Sequence, residues 1–282
     1  MEVYILDSLL RYSVVVDKFE SLIWTERNSS IGDFELHVFS TLENRNLFFP
    51  GVRLATNESY RVMTVETIED ATDVEDRRLL KITGSSLEDL LDQRLAMAAM
   101  TDLTTDPKWV LTGLPKVVAT KLFHDICVTG ILNAGDIIAG VTEGSIFPSD
   151  TVPAPTDSII YSIDPKSLYT AIKDLCDAFS MGFRLVRELD TGALFFDVYM
   201  GRDRTTLQTT IPAVVFSPDM ENLQSTRKLT SAALYKNVAY VVSTVGHEIV
   251  YQTDIDPSVA GFQRRVLYVN ASDIDDPDPP TA

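Results

Sequence analysis

The chain has 282 residues, with 24 Lys plus Arg against 41 Asp plus Glu, a formal net charge of −17. At 45% hydrophobic and 23% charged it is too apolar for a disordered chain. Its acidic balance argues against a surface that grips DNA or anionic lipid through clustered Lys and Arg. No apolar run reaches the ~18–20 residues that span a bilayer. The opening stretch has neither a basic n-region nor a small-residue cleavage site, which argues against a signal peptide. Cys127 and Cys176 are too few for a disulfide scaffold. At roughly 100–200 residues per domain, two domains with their own cores are expected.

The first 85 residues read as strands. Phe34, Leu36 and Val38 alternate with Glu35 and His37, the period of a half-buried strand. The β-formers from Glu20 to Thr25 precede it, and residues 28–33 supply the turn. Two further strands are expected at Tyr60 to Ile68 and Arg77 to Thr83, joined by an acidic tip over residues 69–76.

Ser85 followed by Glu88 predicts a capping box, opening a helix whose stripe is Leu87, Leu90, Leu91 and Leu95. A second helix is predicted from Pro115 to about Thr129 with Val118, Leu122 and Ile126 buried. A third is predicted with Asp164 as cap, Pro165 in the first turn and Leu168, Ile172, Leu175 and Phe179 inward. The Gly, Pro, Ser and Thr-rich segment 130–163 leaves room for short strands only. β structure returns at Phe183 to Arg187 and Ala193 to Met200, a hairpin with Gly192 at its turn. Later strands are expected around Ala213 to Ser217, Val238 to Ser243, Glu248 to Thr253 and Arg264 to Val269. Residues 273–282, with four Asp and three Pro, read as a frayed tail.

Residues that carry chemistry are scarce. His37, His124 and His247 stand in no metal-ligand spacing. Cys176 adjoins the apolar face of its helix near the C-terminal end, which favours a buried, inert thiol. No nucleophile elbow, Walker loop or dinucleotide fingerprint is present. Asp273, Asp275, Asp276 and Asp278 fail the calcium-loop pattern because Pro277 and Pro279 interrupt them. No catalytic residue, cofactor site or metal site is therefore assigned, and an assembly protein is the favoured class.

Several segments, in order, carry a resemblance. They are Phe19 to Arg27 with Trp24, then Gly32-Asp33-Phe34-Glu35-Leu36, and Met63-Thr64-Val65-Glu66-Thr67-Ile68-Glu69. After the acidic hairpin come Gly84-Ser85-Ser86-Leu87-Glu88 and the aromatic strand Phe195 to Tyr199 leading into Gly201-Arg202-Asp203-Arg204. Asn237 to Val241 and Gly261-Phe262-Gln263-Arg264-Arg265 complete the set. Together they resemble the tail-hub (tail-tip or minor tail) proteins of long-tailed, non-contractile phages, which are similar to the central baseplate hub of contractile phages. The chain departs from that family at Ser85, where Arg is usual, and across its middle segment.

The resemblance implies an α+β, mainly β fold, with two tube-like β-barrel domains and a mixed α/β segment between them. The corresponding boundaries are 1–96, 97–181 and 182–272, with the acidic tail at 273–282. It implies a homotrimeric ring, with no catalysis, that adapts a hexameric distal tail protein to a threefold tip. Tape-measure protein and tail fibre or tip proteins are the implied neighbours. DNA would pass through without specific binding, and no membrane anchor is implied. The signature residues Trp24, Gly32, Phe34, Glu35, Gly84, Leu87, Glu88, Gly201, Arg202, Asp203, Arg264 and Arg265 are expected to be structural. Because the acidic tail leaves no room for a fibre or wall-degrading module, such a part is expected in a separate protein. The expected setting is the virion tail tip, assembled in the bacterial cytoplasm. The alternative is a minor tail protein that binds a host-surface polymer through an exposed aromatic groove, with Trp24 and Trp109 as candidates. An enzyme acting on glycan or peptidoglycan is the least favoured, for want of a nucleophile–base pair.

Overall fold

The computed structural model describes residues 1–72, 78–99, 108–223, 225–242, 247–251 and 259–270, excepting the side chains of 247, 248 and 251. The chain divides into two compact units, Met1–Ala213 and Val214–Ala282.

The first unit opens with β1 (Val3–Leu6), β2 (Tyr12–Val16), β3 (Ser21–Thr25) and β4 (Asp33–Phe39). A short helix α1 (Leu42–Leu47) follows, capped by the Thr41 hydroxyl, which accepts from the Asn44 N–H. Then come β5 (Arg53–Thr56), β6 (Met63–Thr72) and β7 (Arg78–Ser86). These seven strands form one antiparallel sheet in the order β2-β1-β5-β6-β7-β4-β3. The residues between β6 and β7, which carry part of the expected acidic tip, lie outside the described residues. The alternation read in β4 is exact in outcome: Phe34, Leu36 and Val38 are buried and Glu35 and His37 only half so. They meet Val3, Leu54, Met63, Val65, Leu80 and Ile82 in one of the two cores, each such side chain contributing about 1.5–3 kcal/mol on burial.

The helix expected from Ser85 does not start there. Ser85 and Ser86 are the last residues of β7, paired with Thr64 and Met63. Their hydroxyls are engaged across the sheet: Ser85 donates to Glu66, and Ser86 accepts from the Gly32 N–H at 2.8 Å. What remains is a single turn, α2 (Asp89–Asp92), with no side-chain cap, followed by β8 (Leu95–Ala96). Tertiary pairing outcompetes the local capping signal.

Next, β9 (Trp109–Gly113) leads into α3 (Pro115–Phe123), with Pro115 in its first turn. The helix widens to a π-helical segment, His124–Thr129, and ends at Gly130 in the left-handed conformation. Val118, Leu122 and Ile126 are fully buried along its stripe. β10 (Val141–Glu143) and β11 (Ile159–Ile163) are the short strands of the irregular segment. β12 (Lys166–Ser167) pairs with β8, so the chain stays extended past Pro165. α4 (Leu168–Ala178) therefore begins three residues later than Asp164 and Pro165 suggest, with Ser167 as its cap accepting from the Thr170 N–H. β13 (Gly182–Arg187) and β14 (Leu194–Tyr199) form the expected hairpin, with β10 added parallel to β14. Phe196 of β14 stacks on Phe123 of α3 at 3.9 Å, tying the hairpin to a second core shared by α3, α4 and Leu87.

The second unit holds β15 (Val238–Val242), β16 (His247–Tyr251) and β17 (Val266–Asn270) in the order β16-β15-β17. The strand expected at Ala213 to Ser217 is absent; Ser217 instead caps a 3₁₀ turn at Pro218–Met220. The acidic tail lies outside the described residues.

The fold is α+β and mainly β. The tube-like barrels are a different matter: among the described residues every sheet is open, and the seven-stranded sheet has β2 and β3 as free edges.

Candidate functional site

The sheet brings several signature residues into one row. Trp24 pairs with Phe34, and Phe34 with Gly84, across β3, β4 and β7. The Trp24 and Phe34 rings lie 6.1 Å apart. A side chain at Gly84 would collide with the Thr64 carbonyl, where β6 bulges between Val65 and Thr67. Only glycine fits that crossing. Glu35, beside this row, accepts from Lys81 and bonds His37, each at 2.8 Å. The hydrogen bonds from Lys81 and then His37 hold its carboxyl below the usual carboxylate range.

Where β7 ends, the chain turns inward through Leu87, which is buried, and Glu88, which is fully buried. Glu88 forms an ion pair with Arg61. The same Glu88 oxygen accepts the Leu185 N–H of β13 at 2.6 Å. Arg61 also donates to the Arg27 carbonyl at 3.1 Å, and its backbone N–H to the Ser59 hydroxyl, which donates to Glu26. Burial is the main force pulling Arg61 below its ordinary pKa, with the positive charge of Arg184 acting the same way. One carboxylate thus joins the end of β7, the loop before β6 and the strand β13.

A second pair lies alongside. Arg184 and Asp197 are register partners in β13 and β14, and Arg184 donates twice to one Asp197 oxygen, at 2.9 and 2.6 Å. Ser145 donates to that oxygen at 2.8 Å. The guanidinium is clamped between the rings of Phe147 and Tyr199, at 3.7 and 4.0 Å. Burial pushes the Tyr199 phenol above its ordinary value. Arg61, Arg184, Tyr60, Phe147 and Tyr199 line a cleft of about 340 Å³.

Beyond β14 the chain is pinned by Asp150, which accepts from the N–H groups of Met200 and Gly201 at 3.0 Å. Gly201 has φ +85°, the left-handed turn that favours glycine. Asp203 donates its N–H to Thr151 and accepts from the Thr205 N–H, which holds its carboxyl low. The Arg202 Nε is buried with no hydrogen-bond partner among the described residues. In the second unit, Asn237 links its segment to the other signature run: it donates to the Gln263 carbonyl and accepts the Arg265 N–H, both at 2.8 Å. Arg264 donates to the Tyr240 hydroxyl at 3.1 Å.

The groups considered for chemistry are otherwise engaged. His124 bonds Glu143 at 2.6 Å on the surface. Cys127 and Cys176 are both buried, and desolvation pushes each thiol up to about 12. Trp109, a candidate groove residue, is 8% exposed and belongs to the core, and Trp24 is half-buried against Phe34. Among the described residues no group of three or more His, Cys, Asp or Glu is placed to hold a metal, and no helix is long and apolar enough to cross a membrane. The sequence reading missed Arg61, Arg184 and Asp197. The last two left a signal: Arg184 interrupts the apolar run Phe183 to Val186, and Asp197 stands among Phe195, Phe196 and Val198.

Residues 2–279 match the Siphovirus ReqiPepy6 Gp37-like protein family. The chain belongs to that family. Its fold is similar to that of the tail protein from Neisseria meningitidis MC58, at 11% identity over 96% of this chain and 71% of that one, with a TM-score of 0.54. It is also similar to the 43 kDa tail protein of prophage MuSo2 from Shewanella oneidensis, at 12% identity over 97% and 73% of the two chains, with a TM-score of 0.50. No curated protein matches the sequence. The likeness is of fold.

Proposed function

We propose that three copies of this tail protein form a hub ring at the distal end of the tail tube, without catalysis. The ring adapts the hexameric distal tail protein to a threefold tip. Tape-measure protein and tail fibre or tip proteins are its other neighbours, and assembly takes place in the bacterial cytoplasm.

The observation that carries this reading is β2. It is an edge strand whose Tyr12, Val14 and Val15 are 40, 36 and 50% exposed. Open apolar edges invite strand addition and are normally covered. The opposite edge, β3, exposes Ile23 at 58%. Two unlike edges on one sheet suit a head-to-tail contact, the kind that closes into a ring when the rotation permits. Three chains carry three times −17, or −51 formal charges. Acids on the bore of such a ring repel DNA and keep it from sticking as it passes.

Solution mass by light scattering, alone and with the adjacent distal tail protein, tests the ring. A trimer, free or formed on that partner, is the expected result; a monomer in both conditions overturns it. The second reading, a minor tail protein binding a host-surface polymer, rests on the cleft of Tyr60, Phe147 and Tyr199. Glycan binding abolished by Tyr60→Ala in a monomeric protein would favour it.

A further inference from the structure

Two hollows in the first unit meet at a single arginine. One, of about 550 Å³, has Leu9, Leu87 and Leu90 among its walls. The other, of about 350 Å³, has Ile5, Leu47 and Phe49. Ser8 and Arg53 line both, so Arg53 stands between two largely apolar depressions. Its backbone is fixed in β5 by pairing with Thr64 of β6.

Among the described residues Arg53 differs from Arg11 in lacking a partner. Arg11, at the same mouth, is tied through two nitrogens to Asp7. Asp7 also faces the second hollow, but its oxygens are occupied by Arg11 and by the N–H groups of Leu9 and Arg11. The Arg53 side chain makes no hydrogen bond or ion pair with the described residues. In a chain with 41 acids and 24 bases, a half-buried guanidinium with no carboxylate partner among the described residues has donors suited to an anionic group.

The wall beside it is held in an uncommon conformation. Leu10 has φ +60°, a region L residues rarely adopt. The buried Arg187 donates to the Leu10 carbonyl at 3.1 Å, and Gly192 leaves room for that carbonyl to approach. This arrangement keeps Leu9, 62% exposed, at the rim of the first hollow.

We propose that the groove docks an extended peptide segment of a partner protein, with an acidic residue on Arg53 and an apolar side chain in each hollow. In an extended chain, residues two apart share a face, so an apolar–x–acid–x–apolar sequence presents all three groups together. A fatty acid, with one apolar tail ending in its carboxylate, fills only one side. The groove lies within one unit, and its test is independent of ring formation.

The experiment uses the full chain and two fluorescein-labelled peptides, Phe-Ser-Asp-Ser-Leu and Phe-Ser-Lys-Ser-Leu, followed by fluorescence anisotropy up to about 1 mM protein. The Asp peptide is expected to bind at least about tenfold more tightly than the Lys peptide. Arg53→Glu reverses that preference, and Arg53→Gln, the milder variant, abolishes it; circular dichroism reports whether each variant is folded. Equal binding of the two peptides, no binding of either, or an unchanged preference in both variants overturns the proposal. Tighter binding of decanoate than of the Asp peptide assigns the groove to a lipid-like anion instead. Loss of self-association in Arg53→Gln assigns it to a second copy of this chain, and either result overturns the peptide assignment.

Discussion

Arg61 and Glu88 form an ion pair in which the two side chains are only 6 and 1% exposed. Because Glu88 also accepts the Leu185 N–H, the pair fastens the end of the seven-stranded sheet to the β13–β14 hairpin. Desolvating two charges is costly, and the pair is sustained by the hydrogen bonds around it rather than by attraction alone.

Removing one partner leaves the other charge buried. Glu88→Ala is expected to cost about 3–5 kcal/mol, measured by urea unfolding. Replacing both residues, Arg61→Met with Glu88→Leu, is expected to cost less than Glu88→Ala alone. A double variant as unstable as the sum of the singles would refute the pairing.

Gly84 sits where β6 bulges against β7. Gly84→Val must push the Thr64 carbonyl aside, and a loss of more than about 2 kcal/mol is expected from such backbone displacement. Amide exchange should quicken first in Thr64, Glu66 and Ser85. A thermal midpoint unchanged from the parent would contradict the close approach.

The two cysteines make an alkaline limb. Each has a folded pKa of about 12 against an ordinary 9.0, so the unfolded chain loses those protons first as pH rises. Their contribution is complete below pH 9 and declines from there towards 12. Urea midpoints should therefore fall across that window, and less steeply in Cys127→Ala and Cys176→Ala. Both thiols are also expected to ignore a disulfide reagent at pH 8 until the chain unfolds.

The edge strand offers the most direct handle on assembly. Val15→Lys places a charge on β2 without touching either core, and changes of less than about 0.5 kcal/mol in stability are expected. Self-association through that edge should weaken, read as a lower mass in light scattering. An undiminished trimer would move the ring contact elsewhere.

Features that depend on near neighbours along the chain were legible in the residue order. The period of two placed Phe34, Leu36 and Val38 inward, and the period of 3.6 placed Val118, Leu122 and Ile126 inward, because backbone geometry fixes which side chains share a face. The Gly192 hairpin, the Pro115 helix start and the family were legible for the same reason: each is written in a short run of residues. Tertiary structure decided where a residue answers to a partner far away. Ser85 and Glu88 spell a capping box, yet one hydroxyl serves Glu66 and the carboxylate serves Arg61 and Leu185. Ser167 rather than Asp164 caps α4, because β8 holds the intervening residues extended. Trp109, a candidate for an exposed aromatic groove, is core, because β11 pairs along β9. The charge network beneath the cleft is of this second kind, since desolvation and pairing depend on burial, and burial is a property of the whole packed chain.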